Sequence, residues 1–170
     1  MKFNSQICTT REQSERLLAL GLKKETADMV WRYSNTIKGK DIYDPVSQPC
    51  DDAAQKARWI ELCEKADYLS HWFKPDGSPM TAEEVYEAVW GKDIPAWSLH
   101  RLIEMMPPSI RDRRQYSLVY DIHRDWLAYL SYGTNVRYLW DDQELNPYDA
   151  FIDCIEWLIK EGYFNKEYLV

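Results

Sequence analysis

The sequence predicts an α+β domain, an antiparallel β-meander of about three to four strands packed on one face by several α-helices. Three observations predict it. Helix start and stop signals crowd the chain before Pro107 and return at Asn146-Pro147. After Pro107-Pro108 the apolar spacing changes from steps of three and four to strict alternation. The alternating runs are joined by short connections, which pair neighbouring strands antiparallel. A length of 170 residues, 45% hydrophobic and 29% charged, suits one domain spanning 1–170. Such a chain buries about 70% of its unfolded surface without the help of a metal or disulfide.

Taken in order, Thr10-Arg11-Glu12-Gln13 has the capping-box pattern, in which the Thr hydroxyl and Gln amide satisfy N–H groups at a helix start. Leu17, Leu18 and Leu20 supply its buried side. Gly21 ends it and Leu22 folds back. Residues 23–29 predict a single turn running into a short strand at Val30-Trp31-Arg32-Tyr33. Asn, Gly, Asp and two Pro in 34–50 predict a loop or irregular hairpin. Asp51 is placed to cap a helix through Ala53, Ala54, Ala57, Ile60 and Cys63. A turn at 74–79 precedes a second capping box, Thr81-Ala82-Glu83-Glu84, and a short helix through Val85, Ala88 and Val89 that stops at Gly91.

The most sharply punctuated stretch is 93–107. Ile94, Trp97, Leu99, Leu102, Ile103 and Met106 form an apolar stripe, with Pro95 near its start and Pro107-Pro108 at its end, and the pattern predicts one helix. Beyond it, Tyr116, Leu118, Tyr120 and Ile122 alternate with Ser117, Val119, Asp121 and His123, Trp126, Ala128, Leu130 and Tyr132 repeat the spacing, and Val136, Tyr138 and Trp140 follow. Turns fall around Arg124 and Gly133, so the three strands form a meander, which the 30–33 strand could extend. Asn146-Pro147 opens a last helix, with Phe151, Ile155, Leu158 and Ile159 on one side and Gly162 at its end.

Composition narrows the function classes. A net charge of −7 argues against non-specific nucleic-acid binding, which needs cations to displace phosphate counterions. The four Cys are scattered without a CxxC pair, no apolar leader follows Met1, and no run of 18 apolar residues is present. A cytoplasmic protein with reduced thiols, no cofactor and no membrane contact is expected. The high aromatic content, 14% with 8 Trp and 12 Tyr, is explained by a Trp/Tyr-filled core or by an aromatic recognition surface.

Chemistry is sparse. The bases are His71, His100 and His123. Cys63 and His71 stand eight apart, close to two helical turns, but a Cys at an apolar position is the ordinary pattern of a small core residue. Asp121, His123 and Asp125 make the best ligand cluster, yet a hairpin end is commonly decorated this way for solubility, and no metal is assigned. Glu83-Glu84 is explained by capping, Asp141-Asp142 by a solvated turn, and no Gly-rich phosphate loop occurs. Arg111, Arg113 and Arg114 form the one concentrated basic patch, in an expected exposed connection, suited to an acidic partner or anion.

Cys8-Thr9-Thr10-Arg11-Glu12-Gln13-Ser14, Thr26-Ala27-Asp28-Met29 with Trp31, Ile94 to Leu99, Asn146-Pro147-Tyr148-Asp149-Ala150 and Trp157 to Tyr163 together resemble a group of small uncharacterised proteins of gut Bacteroidetes and their phages and integrated elements. The resemblance covers the first 33 residues and Asp93 onward, so 35–92 is expected to be a helical insertion. It implies a mobile-element origin and a shared fold, and supplies no catalytic residue. The expectation is a non-catalytic accessory or interaction protein that binds a protein partner or itself. Its binding residues are expected among Arg111, Arg113, Arg114, Trp126, Tyr129 and Tyr138, with Tyr132 and Trp140 alongside. Two alternatives are a small hydrolase centred on His123 and an acidic inhibitor of a host nucleic-acid-binding protein.

Overall fold

The computed structural model describes residues 6–47, 53–65, 69–121, 126–131, 135–142 and 146–170, with backbone alone at 35–37 and 53–55. The fold is α+β, with a three-stranded and a four-stranded antiparallel sheet. Helix α1 (Arg11–Ala19) starts with the expected capping box. Thr10 Oγ1 accepts from Gln13 N–H at 3.2 Å, and Thr10 N–H donates to Gln13 Oε1 at 2.8 Å. It ends at Gly21, whose φ of +90° lets Leu22 N–H donate back to the Leu17 carbonyl at 3.2 Å. Leu22 is thereby turned into the core.

Strand β1 (Met29–Ile37) pairs on one side with β2 (Lys40–Val46) through a two-residue turn at Lys38 and Gly39, both at positive φ. On the other side it pairs with β3 (Ile94–Ala96). The 30–33 strand is therefore longer than its pattern implies and belongs to a separate sheet. Between β2 and β3 lie helices α2 (Ala53–Lys65) and α3 (Ala82–Trp90), joined by the rings of Trp59, Tyr86 and Trp90. Glu84 completes the second capping box, and the position of Asp51 lies outside the described residues.

The stretch 93–107 is not one helix. Met29 pairs with Ala96 and Trp31 with Ile94, which draws Ile94–Ala96 into a strand and leaves α4 as Leu99–Met105 with Ser98 as its N-cap. Pro95, which cannot donate to a ladder, sits on an edge strand. Of the expected apolar stripe, Trp97 and Leu102 are fully buried while Ile103 is exposed.

The second sheet has the order β4 (Ser109–Arg111), β5 (Gln115–Asp121), β6 (Trp126–Ser131), β7 (Arg137–Asp142). This is the expected meander with one extra short strand in front. Asp141 and Asp142 end β7 instead of forming a free loop. The organising element is α5 (Pro147–Glu161). Phe151, Ile152, Ile155 and Leu158 are all fully buried between the sheet and helices α1 and α4.

Candidate interaction surface

Leu127 and Tyr129 on β6 point to the α5 side of the sheet and join the main core, as do Leu118 and Tyr120 on β5. The alternate residues of the same strands, Val119, Trp126, Ala128 and Leu130, point to the opposite, outer side and belong to neither core cluster. Side chains two apart on a regular strand share a face. β7 departs from that rule. Tyr129 pairs with Trp140 and Leu130 with Tyr138, so Leu139 is an extra residue, a β-bulge. Trp140 is thereby turned inward, stacked on Trp157 at 6.1 Å, and Tyr138 outward.

Tyr138 meets Trp126 edge-to-face at 5.7 Å. Ala128 and Leu130, on the same side of β6 as Trp126, are both buried. Tyr138 itself remains 52% exposed and Val136 beside it 47%.

The arginines stand at one end of this face. Arg111 pairs with Gln115, one step along the strands from the Ser109, Ser117, Leu130 and Tyr138 row. Asp112 to Arg114 form the turn, closed by Asp112 N–H donating to the Arg114 carbonyl at 3.0 Å. All three guanidinium-bearing residues are exposed, and none has an ion-pair partner among the described residues. Toward the other end lie Asp121, opposite Trp126, and the exposed Asp141, opposite Ala128.

Of the expected binding residues, Arg111, Arg113, Arg114, Trp126 and Tyr138 thus border or lie on one face. Tyr129 does not. It is completely buried, its hydroxyl donates to the Pro107 carbonyl at 2.6 Å, and burial pushes its ionisation far above the ordinary phenol range. Trp140 is likewise on the core side, and Tyr132 lies outside the described residues.

The groups a reaction would need are placed differently. Burial, reinforced by the charge of Asp28, pushes the Cys8 thiol up to about 11. Burial raises Cys63, and burial with Asp142 and Asp153 raises Cys154 well beyond it. A buried, protonated thiol is a poor nucleophile. Cys63 lies on α2 and His71 is exposed in a separate 3-10 turn, so the two do not share a helix face. His100 is exposed on α4, with Nε2 3.0 Å from Glu104. His123 and Asp125 lie outside the described residues, and among the described residues no group of three ligand-type side chains converges as a metal site would require.

Half-buried Asp28 and Ser98 and fully buried Thr9 belong to one polar network. Asp28 accepts from Ser98 N–H at 2.8 Å and from Ser98 Oγ at 2.5 Å, while Thr9 and Trp97 exchange backbone and side-chain bonds. Trp97 Nε1 donates to Thr26 Oγ1 at 3.0 Å. No described buried side-chain nitrogen or oxygen in the chain lacks a partner. This network fastens the N-terminal segment to α4, and it presents no unsatisfied group to a substrate. An open groove of about 300 Å³ between α1 and α5 is lined by Arg16, Asp153, Glu156, Trp157 and Lys160. Its Arg16 is already held by Asp153 at 2.6 Å and by Glu156.

No family model, curated protein or solved structure matches the chain. What bears on function is the geometry. That geometry separates a sealed, fully partnered interior from an outer sheet face bearing paired rings and unpaired cations. The bulge that divides Tyr138 from Trp140 leaves no mark in the alternation of β7, whereas the arginine run and Trp126 were visible in the sequence. Among the described residues no helix is long and apolar enough to cross a membrane.

Proposed function

We propose that this is a non-catalytic interaction protein, of phage or mobile-element origin and acting in the cytoplasm, whose outer sheet face binds protein. The observation that carries the proposal is the Trp126–Tyr138 ring pair on the side of the sheet away from α5, with Tyr138 half exposed. Aromatic side chains supply large contact areas at small entropic cost, and arginines are enriched with them at interfaces. Arg111, Arg113 and Arg114 provide charged contacts at the rim on a chain whose net charge is −7.

The test is quantitative capture from a Bacteroidetes lysate with the tagged chain, beside a Trp126→Ala/Tyr138→Ala variant and an Arg111→Ala/Arg113→Ala/Arg114→Ala variant. A protein retained by the parent chain and lost at least tenfold from both variants supports the proposal. Equal recovery by all three baits, or none by the parent, refutes it.

A further inference from the structure

We infer that the free edge of β4 takes an extended acidic segment of a protein partner as a further strand of the second sheet; this rests on the proposal that the chain is an interaction protein and gives the chemistry of what it binds. β4 stands at one end of the sheet and pairs only with β5. The phase of its ladder decides where its main-chain groups point. Leu118 N–H donates to the Pro108 carbonyl and Asp112 N–H to the Arg114 carbonyl, both at 3.0 Å. Hydrogen-bonded and non-bonded pairs alternate along an antiparallel ladder. Ile110 and Tyr116 are therefore a bonded pair, while Ser109 with Ser117 and Arg111 with Gln115 are not. The N–H and C=O groups of Ser109 and Arg111 consequently point away from β5. Both residues are exposed, and these four groups meet no partner among the described residues.

The ends of this edge are fixed. Pro107 and Pro108 have no N–H to offer, and the Pro107 carbonyl already accepts from the Tyr129 hydroxyl. The turn at Asp112 to Arg114 closes the other end. What remains is about 10 Å of strand with two donors and two acceptors, the complement of an extended tripeptide.

The side chains select the partner's charge. Arg111, Arg113 and Arg114 are exposed without an ion-pair partner among the described residues. The exposed Asp112 between them leaves the arginines in excess, and Asp141 lies on β7, three strands away. Charge on an edge turns away strands of like sign. This edge repels a basic strand and admits an acidic one. Ile110 points into the core, so Arg111 points to the opposite side of the sheet. On an added strand the residues across from Ser109 and Arg111 lie on that same side, and a carboxylate there meets Arg111 as a cross-strand pair. Acidic residues continuing past the turn meet Arg113 and Arg114, whose guanidinium forks can each hold a carboxylate through two bonds. A phosphate polymer would use the arginines and the two N–H groups, but would set its oxygens against the Ser109 and Arg111 carbonyls. A polypeptide satisfies all four.

The test titrates the full chain into a labelled peptide in which valine alternates with glutamate and an acidic run follows, read by fluorescence anisotropy. Saturable binding is expected, with slowed hydrogen exchange at the Ser109 and Arg111 amides. The same peptide with methylated backbone nitrogens keeps its charge and loses its donors, and should bind at least tenfold more weakly. Ser109→Pro removes an outward N–H without breaking a bond to β5 and should also weaken binding at least tenfold. Arg111→Ala/Arg113→Ala/Arg114→Ala should do the same, with an unchanged far-ultraviolet spectrum as the check on folding in both variants. Absence of saturable binding overturns the inference, as does equal binding of the methylated peptide by the parent chain. Tighter binding of a lysine-for-glutamate peptide, or of single-stranded oligothymidylate, overturns it too. Failure of the peptide alongside lysate capture that depends on Trp126, Tyr138 and the arginines removes only the added strand and leaves the interaction proposal standing. Peptide binding with the expected dependence, alongside equal lysate recovery by all baits, supports the edge site and refutes the outer-face proposal.

Discussion

Trp97→Ala measures how far the 97–98 junction holds the molecule together. Trp97 is fully buried in the main core, where it touches the interior shared by α1, α4 and α5. Truncating a buried Phe or Trp to Ala costs about 3–5 kcal/mol, the sum of lost transfer free energy and the cavity left behind. The indole N–H donated to Thr26 Oγ1 adds little to this, since the Thr26 hydroxyl still donates to the Lys23 carbonyl at 2.7 Å. For a chain of this length each kcal/mol moves Tm by about 2–4 °C, so a fall on the order of 6–20 °C is expected. Urea unfolding followed by far-ultraviolet circular dichroism is the suitable assay, because the substitution removes one of 8 tryptophans and alters fluorescence directly. Trp97→Phe serves as the control. It keeps most of the volume and is expected to lose about 1–2 kcal/mol. A loss below about 1.5 kcal/mol for Trp97→Ala, with an unchanged m-value, would refute the assignment of Trp97 to a rigid, close-packed interior.

Asp28→Ala removes the carboxylate that accepts both Ser98 N–H and Ser98 Oγ at the start of α4, and a loss of about 1.5–3 kcal/mol in chemical denaturation is expected for hydrogen bonds to a charged group. Gly162 ends α5 at φ +76° with open space where a Cβ would stand, so Gly162→Ala should cost about 1 kcal/mol through backbone strain alone, read as a shift in Tm. Tyr129→Phe should cost about 1 kcal/mol by leaving the Pro107 carbonyl without its donor, whereas Tyr138→Phe should be neutral to stability within about 0.5 kcal/mol. The folded state holds the Cys8 proton to about pH 11, against 9.0 for an unburied thiol. The unfolded chain releases that proton first, so stability should fall as pH rises above 9 and level off beyond 11. A Cys8→Ala variant should show a shallower decline in unfolding midpoint over that window, and identical slopes would count against a buried Cys8 thiol.

Local signals were the legible part of the fold. Both capping boxes, the Asn146-Pro147 start and the glycine stops at 21 and 162 are decided within a few residues of chain, and each stands where its pattern places it. Long-range pairing was not legible. Ile94 and Trp97 sit at a helix-like spacing of three, yet pairing of Ile94 with Trp31 from more than sixty residues away draws the first into a strand. The candidate surface was half legible for the same reason. Trp126 and the arginine run were marked by composition, while Tyr138 and Trp140 share one side in the alternating pattern and are separated only by the bulge. The 35–92 segment forms the end of β1, all of β2, and the helices α2 and α3.

Leu139 gives β7 a tolerance for length that its neighbours lack. In an uninterrupted ladder, adding or deleting one residue rotates everything beyond it to the opposite side and would exchange interior for exterior. Here Tyr138 already pairs with Leu130 and Trp140 with Tyr129, which are consecutive on β6, so the chain can lose residue 139 and leave both partners where they are. Such a deletion forfeits only the contacts of Leu139 itself and the local bend. β5 and β6 have no such slack, since their register runs unbroken from Ser117 and Leu130 to Asp121 and Trp126. Within this meander, changes of length are therefore cheapest at the strand where the interior-facing tryptophan and the outward-facing tyrosine lie two residues apart.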